Sequence, residues 1–151
     1  MSQSLSQFYV HIIFSTKNRT PHFHNESVRK QLFKYIAGIL KEKNSANAMI
    51  GGTSDHIHVL CLLPKTISIS ELVRELKRSS SKWIKTLENV DQSFSWQNGY
   101  AAFSVSKSNI PKVRQYILDQ DKHHSKMDYQ EELRKILSRH NIEFDERYLW
   151  N

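Results

Sequence analysis

The run from His56 to Leu63 (HIHVLCLL) reads as a strand that is apolar on both faces, and this limits the architectures open to the chain. Side chains alternate along a strand. Leu60 and Leu62 therefore share a side with His56 and His58, while Ile57, Val59, Cys61 and Leu63 take the other. A strand that is greasy on both sides is covered on both sides. Something must pack near the histidines, either the third of the chain's helices or a second copy of the protein.

The flanking patterns suggest the rest of the fold. Residues Phe8 to Thr16 (FYVHIIFST) are aromatic and β-branched and read as a strand. From about Glu26 to Lys43, Val28, Leu32, Tyr35, Ile36, Ile39 and Leu40 recur at helical spacing, with Asn25 as N-cap. A short strand over Asn47 to Thr53 ends at Gly51-Gly52, and the tight turn to His56 predicts an antiparallel hairpin. A second helix spans about Ser70 to Leu87. Short strands are expected around Phe94 to Gln97 and Tyr100 to Ser106, turned by Asn98-Gly99. A third helix begins after Ser106 or Ser108, with Ile110, Val113 and Ile117 inward. A last helix covers about Tyr129 to Arg139. The first six elements follow the split β-α-β order of ferredoxin-like and RNA-recognition-type (RRM-like) folds. The expected class is α+β: an antiparallel sheet with two helices on one face and an additional C-terminal helix.

Only four glycines and three prolines punctuate 151 residues, and no linker, repeat or low-complexity tract divides them, so residues 1–151 read as one domain. The net charge of +7 and pI near 9.5 favour a polyanionic partner, with nucleic acid the commonest. An anionic membrane is the rival, but no long basic amphipathic helix with an aromatic apolar face is evident. The one cysteine, Cys61, excludes an internal disulfide framework and reads as a small core residue. With no membrane-length apolar run and no signal-peptide pattern, a cytoplasmic location is expected.

Period-2 geometry points His56 and His58 to one face, where two imidazoles can take two positions on a metal ion. Tyr116 and Gln120 stand at i and i+4 on the third helix and share a face, rotated from the Ile110, Val113, Ile117 stripe. His56, His58 and Gln120 would be neutral ligands, leaving the full charge of a Mg²⁺ or Mn²⁺ ion toward a phosphate; Zn²⁺ or Ni²⁺ could also bind two histidines in vitro. Tyrosine is a poor nucleophile, with a pKa of about 10, unless a cation stabilises the developing charge. One helical turn before Gln120, Tyr116 is placed for in-line attack. A covalent phosphotyrosine would conserve the bond energy, which agrees with the absence of a GxxxxGK phosphate loop.

These residues, in this order, resemble the single-tyrosine HUH transposases of the insertion-sequence 200/605 group. The likeness rests on Asp55-His56-Ile57-His58 followed by Tyr116-Ile117-Leu118-Asp119-Gln120. It extends to YVHIIFSTKNR, GGTSDHIHVL, ELVRELKRSSSKW, WQNGYAAFSVS and IEFDERYLW, which span nearly the whole chain. The resemblance implies a ferredoxin-like core, a homodimer, and a metal held by the two histidines and Gln120. It implies attack by Tyr116 on single-stranded DNA bearing imperfect hairpins, leaving a 5′-phosphotyrosine and a free 3′-hydroxyl. In such dimers the resemblance leaves two arrangements open: the tyrosine helix serves its own histidines or the partner's. His123 and His124 acquire no role. Lys17, Arg19, Arg74, Lys77, Arg78, Lys82 and Lys107 become candidate phosphate contacts, and Tyr100 or Trp96 candidate platforms for unpaired bases.

Two alternatives stay open. One is an RNA-recognition-type binding module, although the basic-Gly-Phe-Gly-Phe-Val consensus of those domains is absent. The other is a domesticated relative that binds hairpins without cutting them.

Overall fold

The computed structural model describes residues 2–88, 90–124 and 126–151. Among them, β1 (Tyr9–Ser15), β2 (Met49–Gly52), β3 (His56–Leu62) and β4 (Ala101–Val105) form an antiparallel sheet in the order β2-β3-β1-β4. This is the sheet of a split β-α-β fold, with Ala101–Val105 rather than the expected 94–97 segment as its fourth strand. The register aligns Ser15 with His56, Ile13 with His58, His11 with Leu60 and with Phe103, and Gly51 with His58. One face of the sheet therefore carries His11, Ile13, His56, His58, Leu60 and Phe103. The other carries Ile12, Phe14, Ile57, Val59 and Cys61.

The second face is covered by α1 (Glu26–Glu42) and α2 (Ile69–Ile84). Leu32, Ile36 and Leu40 of α1 and Leu72, Leu76 and Ile84 of α2 are fully buried against Ile12, Phe14, Ile57 and Val59. Burying each such side chain is worth about 1.5–3 kcal/mol. Asn25 caps α1 as expected, accepting from the amides of Ser27 and Val28, and Ser68 caps α2, accepting from that of Glu71. No helix among the described residues is long and apolar enough to cross a membrane.

The histidine face is covered by the chain's own later helices. These are α3 (Ile110–Leu118), α4 (Gln120–His124) and α5 (Tyr129–Arg139), with the short α6 (Glu146–Leu149) beyond. Tyr129, Leu133, Ile136 and Leu137 of α5 pack on Ile13 and Phe103. Tyr116 and Gln120 were expected on one helix, but α3 stops at Leu118 and Asp119 (φ −92°, ψ 18°) separates it from α4. The two residues stay adjacent across the break, and the Gln120 amide donates to the Tyr116 carbonyl at 3.4 Å.

The strand expected at Phe94 to Gln97 is reduced to an isolated bridge between Thr16 and Trp96. Side chains take over there. Gln97 Oε1 accepts from the Ser15 amide at 2.6 Å, and the Trp96 indole donates to Ser80 Oγ at 3.0 Å. The Lys77 ammonium donates to the carbonyls of Gln97 (2.8 Å), Asn98 (3.3 Å) and Gly99 (2.8 Å), so Asn98-Gly99 is not a hairpin turn.

Two glycines position the site. Gly52 has φ +155° at the turn before His56, where a Cβ would strike the His56 carbonyl. A Cβ on Gly51 would stand 2.6 Å from both the side chain and the carbonyl oxygen of Ile117, so β2 and α3 meet almost backbone to backbone. Gly51→Ala should destabilise the protein by about 1–3 kcal/mol in chemical denaturation. Gly38→Ala on α1, where nothing lies within 4 Å, should be neutral or slightly stabilising. Equal effects at the two positions would refute the close approach.

Candidate active site

β3 is rigidly paired on both edges, which fixes the backbones of His56 and His58. Both imidazoles are fully buried. His56 Nδ1 lies 2.7 Å from Asp55 Oδ1 and 3.0 Å from Thr53 Oγ1. On the other side, His56 Nε2 faces Gln120 Oε1 at 3.1 Å and Glu132 Oε1 at 3.4 Å. The Thr53 hydroxyl donates to Asp55, so both ring nitrogens of His56 face acceptors and both carry protons. Burial alone would lower the His56 pKa, but the hydrogen bonds and charges of Asp55 and Glu132 push it up to about 9. An imidazolium thus bridges two carboxylates.

His58 behaves oppositely. Burial, which outweighs the pull of Glu132, brings its pKa down to about 4, so the ring is neutral. Its Nε2 donates to Glu132 Oε1 at 3.0 Å. Its Nδ1 then accepts from Nε2 of His11, 2.9 Å away on the neighbouring strand. Burial and the nearby His58 lower the His11 pKa to about 3.

Glu132 is the centre of the cluster. Its side chain is 1% exposed. Beyond the two strand histidines, it lies 3.0 Å from Nε2 of His124 and accepts the Tyr116 hydroxyl at 2.6 Å, both on Oε2. Burial would raise its pKa, but hydrogen bonds from His124, His56 and His58 hold it well below the usual carboxylate range. Burial and the Glu132 charge in turn raise the Tyr116 phenol, while Arg139 pulls it the other way. The Tyr116 ring also stacks on His123, with centroids 4.5 Å apart.

The structure therefore brings together His56, His58, Tyr116 and Gln120 within one chain. It adds Glu132, His124 and His11, which sequence reasoning left out or without a role. A signal for Glu132 exists. It falls three residues after Tyr129 and four before Ile136, inside the apolar stripe of α5. A lone acid in such a stripe must be paired. His11 shares its face with Ile13 and Ser15 by simple alternation.

His56, His58 and Glu132 are all buried, and their ligand atoms lie within 4.8 Å of one another. At metal–ligand bonds of about 2.0–2.2 Å, neighbouring ligand atoms stand roughly 3.0–3.5 Å apart. The separations His56 Nε2–Gln120 Oε1 (3.1 Å), His58 Nε2–Glu132 Oε1 (3.0 Å) and His56 Nε2–Glu132 Oε1 (3.4 Å) are of that size. The group can hold a divalent metal.

The other expected contacts are scattered. Arg74 and Arg78 line a groove of about 580 Å³ with Lys77, Lys85, Trp96 and Tyr100. Lys77 is spent on the three loop carbonyls and stands over the Phe14 ring. Trp96 is buried at 7% exposure, whereas Tyr100 is 39% exposed. Lys17, Lys82 and Lys107 are exposed, and Arg19 lies over the Trp150 ring.

A family model described as transposase IS200 like matches residues 4–120. The transposases of insertion sequence element IS200 from Salmonella typhimurium and Salmonella typhi are each 30% identical to this chain over 121 residues. That covers 74% of this chain and 78% of theirs. Among solved structures, one assigned as a transposase from Deinococcus radiodurans R1 superimposes with a TM-score of 0.59 at 19% identity, covering 80% of this chain and 98% of its own. A REP-associated tyrosine transposase bound to a REP hairpin gives 0.56 at 17% identity, covering 82% and 74%. Glu132 and His124 lie beyond the span that the family model matches.

The charge pattern sets a pH dependence. His56, with its raised pKa, stabilises the fold fully below about 6.5, and that contribution is lost as pH rises to about 9. His11 and His58 stay neutral in the folded protein, so stability also falls as pH drops below about 6.5. In chelator-treated protein, stability from this cluster should peak near pH 6.5. The loss toward pH 9 should be of order 3 kcal/mol and should shrink in Asp55→Asn. Denaturant titrations across pH test this; a flat profile from 6.5 to 9 would contradict the bridged imidazolium.

Proposed function

This chain belongs to the IS200-like transposase family, and from that premise we propose that it cuts and rejoins single-stranded DNA with the Tyr116 phenol as nucleophile. The Tyr116 oxygen bonds to phosphorus, and the bond from phosphorus to the 3′ oxygen breaks. The phenol loses its proton and the 3′ oxygen gains one. A 5′-phosphotyrosine and a free 3′-hydroxyl result. Attack by a 3′-hydroxyl on the phosphotyrosine reverses the step, so rejoining needs no nucleotide cofactor.

The observation that carries this reading is the meeting of nucleophile and histidines on one carboxylate. Tyr116 donates to Glu132 Oε2 at 2.6 Å, and His58 donates to Oε1 at 3.0 Å. Once their Nε2 protons are given up, His56 and His58 would hold a divalent ion, Mg²⁺ or Mn²⁺, together with Gln120 and the Glu132 carboxylate, and the ion would supply Lewis-acid stabilisation of charge on the phosphate. Asp55 and His11 fix the orientations of His56 and His58 from behind. Glu132 holds the phenol in one rotamer and, by its charge, keeps it protonated until DNA is in place.

The substrate we favour is single-stranded DNA with imperfect hairpins, which the hairpin bound to one structural neighbour supports. Arg74, Arg78 and Lys85 along the groove, with Lys17, Arg19 and Lys107, would contact its phosphates; Tyr100 would stack on an unpaired base. The reading includes a homodimer acting in the cytoplasm. Because Tyr116 already reaches Glu132 and lies beside His58 within one chain, each subunit would complete its own site.

With Mg²⁺ or Mn²⁺, labelled single-stranded DNA carrying the hairpins that flank the gene should give a covalent protein–DNA band on a denaturing gel. Tyr116→Phe should give none. An adduct that persists in Tyr116→Phe assigns the attack elsewhere. Tight binding with no adduct in either metal would make the protein a hairpin-binding module instead. Separately, Arg74→Ala and Arg78→Ala should each weaken binding and lower the salt slope by about 1. Lys77→Ala should instead lower the melting temperature, because it frees three carbonyls.

A further inference from the structure

Beside Tyr116 lies a second cavity of about 330 Å³. It is lined by His11, Asn109, Lys112, Val113, Tyr116, Ile136, Arg139 and His140, so α3 forms one wall and the end of α5 the other. No acidic side chain lines it. Among the described residues, neither Lys112 nor Arg139 is held in an ion pair, and both are exposed. Arg139 lies near enough to the phenol for its charge to act on Tyr116. The His140 ring is already stacked on Phe103, with centroids 4.3 Å apart at 24°, and shows its outer face. Val113 and Ile136 give an apolar floor, and Asn109 offers one amide.

Resting on the cutting reaction proposed above, we infer that this cavity holds the unpaired nucleotide adjoining the scissile phosphate. Its phosphate lies between Lys112 and Arg139, and its base lies against His140. The chemistry selects that ligand. Two unpaired cations at a rim bind phosphate oxygens, and a guanidinium can do so with two hydrogen bonds. An exposed aromatic face above an apolar floor suits an unstacked base. The volume sits at the small end of ligand sites, with room for one nucleotide and none for a duplex. A nucleotide seated there brings its backbone past Tyr116, which lines this cavity and whose hydroxyl donates to Glu132. Ile136, Arg139 and His140 lie outside the residues that the family model matches, so this wall belongs to the chain's own C-terminal part.

The test is binding of 5′-phosphorylated tetradeoxynucleotides (dT4 and dA4) in EDTA, followed by amide chemical shifts. Shifts should concentrate at residues 109–116 and 136–140. The double variant Lys112→Gln/Arg139→Gln should bind at least about tenfold more weakly, and Lys112→Arg/Arg139→Lys should recover most of the affinity. Replacing the bases by abasic sites should weaken binding to the wild type and have little effect on His140→Ala. An undisturbed melting temperature in each variant excludes loss of the fold. Shifts confined to the groove beside α2, or equal affinity in the double Gln variant, would overturn the inference. Adduct formation on the gel is scored independently. Tetranucleotide seated here without any adduct upholds the cavity and removes the cutting reading. An adduct with binding unchanged in the double variant does the reverse.

Discussion

A buried carboxylate without partners costs several kcal/mol, and Glu132 escapes that cost only because three other elements converge on it. Its oxygens meet His56 and His58 from β3, Tyr116 from α3 and His124 from α4, while its own backbone belongs to α5. Each of those elements must be in place for the charge to be satisfied. The opposite face of the sheet is different. There α1 and α2 are held by Leu32, Ile36, Leu40, Leu72 and Leu76 through apolar contact that has no direction. One side of the protein is fixed by burial, the other by a polar hub with strict geometry.

That contrast explains what could be read from the chain. Apolar periodicity reveals α1, an aromatic and β-branched run reveals β1, a doubly apolar run reveals β3, and the order of the elements reveals the fold class. The doubly apolar strand correctly required cover over the histidines, and α3 to α5 provide it. What escaped were features set by side-chain geometry. Gln97 and Lys77 replace a ladder at 94–97, which no alternation rule contains. The break at Asp119 lies within a pattern that continues as helix through it. His56, His58, Tyr116 and Gln120 were legible from spacing and family likeness. Glu132 was hidden because a stripe is normally read for its apolar members, not for the one charged residue among them.

The second layer of the site follows from strand pairing. On β1, His11 pairs with Leu60, two residues along from the Ile13–His58 pair and on the same face, which brings its ring beside His58. Asp55 immediately precedes β3 and reaches the outer nitrogen of His56. Each histidine is thus buttressed by a different element, a carboxylate for one and a neutral imidazole for the other. The two rings consequently differ in charge although they lie two residues apart on one strand. A pair of identical side chains is made chemically unequal by what stands behind each.

The close seating of α3 on Gly51 has a mechanical meaning. Most helices rest on a sheet through side chains, whose lengths can be changed to shim the helix up or down. Here the spacer has been removed, and the helix that bears Tyr116 rests on the main chain of β2 itself. Its height above the sheet is a hard stop with no adjustable part. A redesign of this protein could retune the chemistry around the tyrosine freely, but could bring the tyrosine no nearer to the sheet.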